Sequence, residues 1–148
     1  MKPILAVMVG ISGSGKSTFA NGLKSSIGAN LVETDAIRQE LTGDASDQTQ
    51  NYKVFQVAKT RVADLLSNGK NAIIDATSLT HGDRKDWIEI GRKHNAEIHA
   101  YFVDTPVDVA KSRNFKRDRN VPEEVIDRQA SKLHAPTKSE GFDSVNII

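Results

Sequence analysis

Hydrophobic positions along this chain follow two alternating rhythms. Ile4 to Val9 is an unbroken apolar run, the mark of a central parallel strand covered on both faces. Four further short segments read as strand candidates: Asn30 to Thr34, Asn71 to Asp75, Glu97 to Asp104 and Ser144 to Ile148. Between strands the spacing changes. Val54, Phe55, Ala58, Val62, Leu65 and Leu66 fall three and four apart, predicting a helix that stops at Asn68-Gly69. Trp87, Ile88 and Gly91 sit in another, from about Gly82 to His94. Thr105-Pro106 opens a third with proline in its first turn, and Val121-Pro122-Glu123-Glu124 opens a fourth that runs to about Leu133. Ala135 to Gly141 reads as irregular. Strands alternating with helices predict a three-layer α/β domain built on a mainly parallel, five-stranded sheet.

Composition narrows this only a little. The 148 residues suit one domain, 1–148, with a real core. Net charge is +1, so the overall field exerts no strong pull on nucleic acid. A local excess hides in that balance: Lys111, Arg113, Lys116, Arg117 and Arg119 lie within nine residues, opposed by Asp118 alone. The lack of cysteine excludes disulfides and thiolate metal sites and fits a reducing compartment. The first apolar run is too short for a membrane span, and it leads into a glycine-rich loop rather than a cleavage site. No membrane contact and a cytoplasmic location are expected.

The loop carries the chemistry. Gly10-Ile11-Ser12-Gly13-Ser14-Gly15-Lys16-Ser17-Thr18 matches the G-x-x-x-x-G-K-[ST] spacing of the Walker A phosphate loop. Given ordinary glycine usage, that spacing arises by chance in roughly one chain in two hundred of this length, and the strand–loop–helix context lowers the figure. Gly10, Gly13 and Gly15 let the main chain wrap a phosphate, so that N–H groups of Ser12, Ser14 and their neighbours point inward as an anion nest. A helix beginning near Lys16 adds its positive dipole end. Lys16 is expected to bridge the β- and γ-phosphates of a nucleoside triphosphate, Ser17 to hold Mg²⁺, and Thr18 to reach the α-phosphate.

Chain path brings carboxylates back to this loop. A helix of about twelve residues after Lys16 climbs roughly 18 Å. The turn at Gly28-Ala29 reverses it, and a short strand returns roughly 16 Å, leaving Asp35 beside the loop at the sheet edge where α/β ligands bind. Helix capping alone and catalysis both fit Asp35. Arg38 lies one helical turn further on. Asp75 ends an apolar strand at the same edge and looks like a Walker B metal carboxylate. Ala76 follows it, where a hydrolytic ATPase would often place a second carboxylate, and the chain has no N/T-K-x-D segment for guanine. Both observations disfavour a motor, an AAA-type machine or a GTPase switch and favour transfer to an acceptor. Arg113 and Arg117, four apart, can face the site together and neutralise a transferring phosphoryl group, or simply form a solvated basic helix end.

Taken together, Gly10 to Thr18, Thr34-Asp35-Ala36-Ile37-Arg38, Ile74-Asp75-Ala76-Thr77 with Arg84, Arg113-Asn114-Phe115-Lys116-Arg117 before Val121-Pro122, and Glu140-Gly141-Phe142-Asp143 resemble the 5′-kinase domain of phage-type polynucleotide kinases and related P-loop kinases. The resemblance spans the chain. It implies a P-loop kinase fold with a helical lid at about 111–122, ATP and Mg²⁺ as cofactors, and nucleic acid 5′ ends as acceptor. It makes Asp35 the general base, Arg38 the ligand of the acceptor's 3′-side phosphate, and Arg113 and Arg117 lid residues over the donor. Thr77 and Arg84 become candidate acceptor contacts, although Arg84 equally suits a surface salt bridge. No Asp-x-Asp-Gly-Thr segment is present, so phosphatase and ligase chemistry is expected from separate partners. Small-molecule, nucleoside and tRNA-linked hydroxyls remain open as acceptors, as does a nucleotide-dependent switch. Tyr52, Phe55 and Trp87 are expected in helix packing rather than base stacking. His81 fits either the border of an acceptor groove or, better, a plain loop position, and His94, His99 and His134 are assigned no role.

Overall fold

The computed structural model describes residues 1–117 and 121–148. Five strands, β1 (Ile4–Val9), β2 (Ala29–Glu33), β3 (Asn71–Asp75), β4 (Glu97–Phe102) and β5 (Ser144–Ile147), form one sheet in the order β2-β3-β1-β4-β5. Every neighbouring pair is parallel. The helices are α1 (Lys16–Ile27), α2 (Thr34–Thr42), α3 (Asn51–Ser67), α4 (His81–Lys93), α5 (Val107–Phe115) and α6 (Glu123–Lys132). A 3₁₀ turn at Lys138–Glu140 occupies part of the segment read as irregular.

The apolar run of β1 splits as its alternation requires. Leu5 and Val7 join α3 and α4 residues such as Val54, Val62 and Trp87 on one face of the sheet. Ala6 and Met8 pack on Ala20 and Leu23 of α1 on the other. A third cluster, Ile11, Leu79, Ala110 and Ile126, seats α5 and α6 above the ends of the strands. The strand order reverses on either side of β1, between β3 and β4, so the crevice at the carboxyl ends of these strands is the binding edge.

Gly91 marks the closest approach of α4 to the sheet. A Cβ there would lie 2.6 Å and 2.7 Å from the Ile98 side chain and 3.3 Å from Leu5. Gly91→Ala gains up to about 1 kcal/mol of helix propensity, but overpacking costs about 1–3 kcal/mol. Net destabilisation of roughly 1 kcal/mol, or about 2–4 °C in Tm, is expected by thermal unfolding; a raised Tm would show that α4 shifts freely.

Candidate active site

Three glycines shape the loop between β1 and α1. Gly13 (φ 80°) and Gly15 (φ 99°) adopt the left-handed conformation that L side chains avoid. At Gly13 a Cβ would also stand 2.3 Å from the Ala110 carbonyl oxygen, so α5 presses against the loop. Behind the loop, the Gly10 N–H donates to the Thr77 carbonyl at 3.0 Å. The Ser14 carbonyl accepts from Thr105 Oγ1 at 2.7 Å and from Arg113 Nη1 at 2.9 Å. Arg113 thus ties α5 to the phosphate loop.

A cavity of about 840 Å³ opens on this loop. That is toward the upper end for a single small ligand and leaves room for a donor tail and an acceptor together. Ser12, Gly13, Gly15, Lys16, Ser17 and Thr18 form its floor, and Asp35, Arg38, Asp75, Thr77, Arg113 and Arg117 reach its wall. Gly10 and Ser14, expected among the nucleotide contacts, do not line it; Gly10 sits behind the loop, and the Ser14 side chain is buried with its Oγ unpartnered among the described residues.

The two charges nearest the floor sit in tension with their burial. Burial pushes the Lys16 ammonium below its ordinary pKa, with the Asp75 and Asp35 carboxylates opposing that shift. Lys16 Nζ donates to the Ile11 carbonyl at 3.2 Å. Burial likewise pushes the Asp75 carboxyl up, opposed by Lys16 and by the Ser17 hydroxyl, which donates to Asp75 Oδ2 at 2.9 Å. The arrangement suits a phosphate chain and a divalent cation: anionic oxygens for Lys16, a hard cation for two oxygen donors. Among the described residues no cluster of three or more His, Cys, Asp or Glu could hold a metal ion. Two protein oxygens beside a phosphate cradle match the sparse protein ligation that Mg²⁺ accepts when phosphates and water complete its shell.

Asp35 and Arg38 face the cavity from the first turns of α2. Arg38 Nη1 donates to Asp35 Oδ1 at 2.7 Å, while Nε and Nη2 both reach Asn51 Oδ1 at 3.2 Å and 3.0 Å. Arg38 is held nearly buried, whereas the Asp35 side chain keeps 44% of its surface exposed on the cavity side. An accessible carboxylate therefore stands beside a fixed guanidinium, across the cavity from the phosphate loop.

Two expectations need correction, and one histidine outside the site has a structural partner. Arg84 does not approach the cavity: it is fully buried, paired to both Glu140 oxygens at 2.9 Å and 3.1 Å, and bonded to the Ser78 and Leu79 carbonyls. It braces the segment after β3 that carries Thr77. Tyr52 is 81% exposed, because it points away from the Val54–Ala58–Val62 stripe that α3 buries; Phe55 is half-buried on the cavity wall, and Trp87 is buried as expected. His134, given no role, accepts a hydrogen bond from the His81 N–H at 3.3 Å, with the two rings 4.7 Å apart and away from the cavity. Of the basic cluster, Arg119 and Asp118 lie outside the described residues, as does that part of the expected lid at 118–120.

One contact had no sequence signal. Gln129 of α6 accepts the Ser12 N–H at 2.8 Å and donates to Ser12 Oγ at 3.1 Å, tying α6 to the phosphate loop. Nearby, Asn114 clamps the Val121 backbone through both its amide atoms, at 2.6 Å and 2.9 Å, joining the end of α5 to the approach of α6.

The family model described as AAA domain matches residues 5–136. A protein of Autographa californica nuclear polyhedrosis virus, named as a bifunctional polynucleotide kinase/RNA ligase, is 30% identical over 145 residues, covering 87% of this chain and 20% of that protein. An adenylyl-sulfate kinase of Buchnera aphidicola is 32% identical over 127 residues, covering 78% of this chain and 58% of its own length. Among solved structures, a chain of the Pnkp1/Rnl/Hen1 RNA repair complex superposes with a TM-score of 0.79 at 27% identity, covering 89% of this chain and 44% of that one. The chain spans a fifth of the first relative and less than two thirds of the other two. No described helix is long and apolar enough to cross a membrane.

Proposed function

We propose, on the premise that this chain belongs to the AAA-domain family matched over residues 5–136 and has the fold of its P-loop kinases, that it transfers the γ-phosphate of ATP to the 5′-hydroxyl of DNA or RNA. The observation that carries this reading is the accessible Asp35 carboxylate, fixed beside Arg38 and facing Lys16, Ser17 and Asp75 within one cavity. A carboxylate so placed can accept the proton of an attacking hydroxyl. Arg38, immobilised by Asp35 and Asn51, presents a cation beside that hydroxyl, suiting an acceptor with a phosphate next to its reacting end. Lys16, Arg113 and Arg117 neutralise charge on the group in transit, and the phosphates it leaves rest on the loop N–H groups other than those of Ser12 and Ser14, which donate to Gln129 and to the Ile11 carbonyl. Bound Mg²⁺, held by Ser17 Oγ and Asp75 Oδ2, would draw charge from the phosphate oxygens and orient them. Thr77, on the same wall, is an acceptor contact in this reading.

The relative named as a polynucleotide kinase/RNA ligase fits an end-healing role in which separate phosphatase and ligase activities complete the repair. A second reading is favoured by the adenylyl-sulfate kinase relatives: the same parts acting on a small hydroxylated molecule. With γ-labelled ATP and Mg²⁺, label is expected at the 5′ end of 5′-hydroxyl oligonucleotides. Label on adenylyl sulfate or a nucleoside, and on no DNA or RNA, would replace the first reading by the second.

A further inference from the structure

Helix α6 carries charge of both signs but shows only one to the cavity. Glu123, Glu124 and Asp127 are absent from the cavity wall, and Asp127 pairs with Lys111 at 2.8 Å. Arg128 and Lys132 line the wall beside Val125. The helix is rotated this way because Ile126 is buried in the cluster under α5 and α6 while Gln129 is bonded to Ser12. Two cations that the phosphotransfer step leaves unused therefore line the same cavity as Arg38.

Resting on the polynucleotide reading above, we infer that Arg128 and Lys132 form a subsite for the phosphodiester backbone of the acceptor strand, beyond the phosphate that Arg38 takes. Four residues apart on one helix face, they stand about 6 Å apart along the axis, a separation that serves neighbouring phosphates of an extended strand rather than a single anion. The donor phosphates already have the loop and Lys16 on the cavity floor and Arg113 and Arg117 on its wall. A strand whose 5′ end meets Asp35 and whose body follows this cavity passes these cations. Acceptor length thereby becomes a specificity determinant: a nucleoside 3′-phosphate fills the Arg38 site alone, and a longer strand engages α6 as well.

The test compares wild type with the double variant Arg128→Ala plus Lys132→Ala on two acceptors, a nucleoside 3′-phosphate and a tetranucleotide. Wild type is expected to favour the tetranucleotide in kcat/KM, and the variant to lose about tenfold of that preference through KM. Fluorescence anisotropy of a labelled 5′-hydroxyl oligonucleotide reads binding without turnover. The slope of log Kd against log salt is expected to shrink by about 0.7 for each phosphate that the variant no longer neutralises. An unchanged length preference with an unchanged salt slope would overturn the subsite, as would a rise in KM for ATP in place of KM for the strand. Wild type that binds the oligonucleotide with the expected salt slope yet labels no strand would sink the kinase reading and leave the subsite standing. Equal Tm for both proteins checks that the exposed pair is not structural.

Discussion

Asp35→Asn is expected to lower kcat for phosphoryl transfer by about 10²- to 10⁴-fold, the range a positioned general base contributes. Affinity for ADP should hardly change. Asparagine is nearly isosteric, and its carbonyl oxygen can still accept the Arg38 Nη1–H that Asp35 Oδ1 accepts at 2.7 Å. Arg38 also keeps both its bonds to Asn51, so the acceptor-side cation stays where it is. The proton-accepting capacity is removed along with the negative charge that faces Lys16 and Arg38, while the side-chain shape and hydrogen bonds stay. Single-turnover label transfer measures the chemistry, and calorimetric titration with ADP measures the donor site. Loss of ADP binding in parallel with kcat would make Asp35 a prop for the loop. Turnover at the wild-type rate would remove it as the base and leave it an acidic residue of the first turn of α2, where Glu33 and not Asp35 is the N-cap.

That ambiguity shows where the sequence is legible. The apolar run of β1 and the glycine spacing of the loop are local signals, and local geometry obeys them. Asp35 and Asp75 become visible through chain path alone, since a helix out and a strand back must end at the same edge. Thr34, a strand residue by its pattern, is the first residue of α2, a shift of one residue that leaves the placement of Asp35 unchanged. Arg84 misleads because its partner lies 56 residues away in a segment that looks irregular. Nothing near Arg84 in the chain announces a buried carboxylate. Gln129, Arg128 and Lys132 are invisible for a related reason: the face α6 turns to the cavity is decided by where Ile126 packs, not by the pattern of charges along the helix. Residue type alone assigns Tyr52 to packing, although its position relative to the Val54 stripe puts it on the opposite side of α3.

Arg84→Ala is expected to destabilise the fold by about 3–5 kcal/mol, the cost of stripping one partner from a buried ion pair. The guanidinium has no exposed surface and the Glu140 side chain only 8%. Its loss leaves a buried carboxylate on one side and the Ser78 and Leu79 carbonyls without their donor on the other. For Glu140, burial favours the neutral form. The hydrogen bond from Arg84, the Thr137 N–H and the charges of Arg84 and His81 outweigh it, holding the carboxyl below its ordinary pKa. A depressed folded pKa stabilises wild type fully above the unfolded glutamate value of about 4.3, and that contribution disappears as pH falls through the folded value. The stability gap between wild type and Arg84→Ala should therefore be widest near neutrality and narrow below about pH 4, as Glu140 takes up a proton in both proteins. Urea unfolding across that range measures it. Replacing both partners with apolar residues, Arg84→Met with Glu140→Leu, is expected to recover much of the loss, because no uncompensated charge remains. If Arg84 were instead an acceptor ligand, its removal would raise KM and leave the unfolding midpoint where it was. Unfolding midpoint and KM measured on the same variant separate a brace from a binding residue, and the buried pair with Glu140 makes Arg84 the brace.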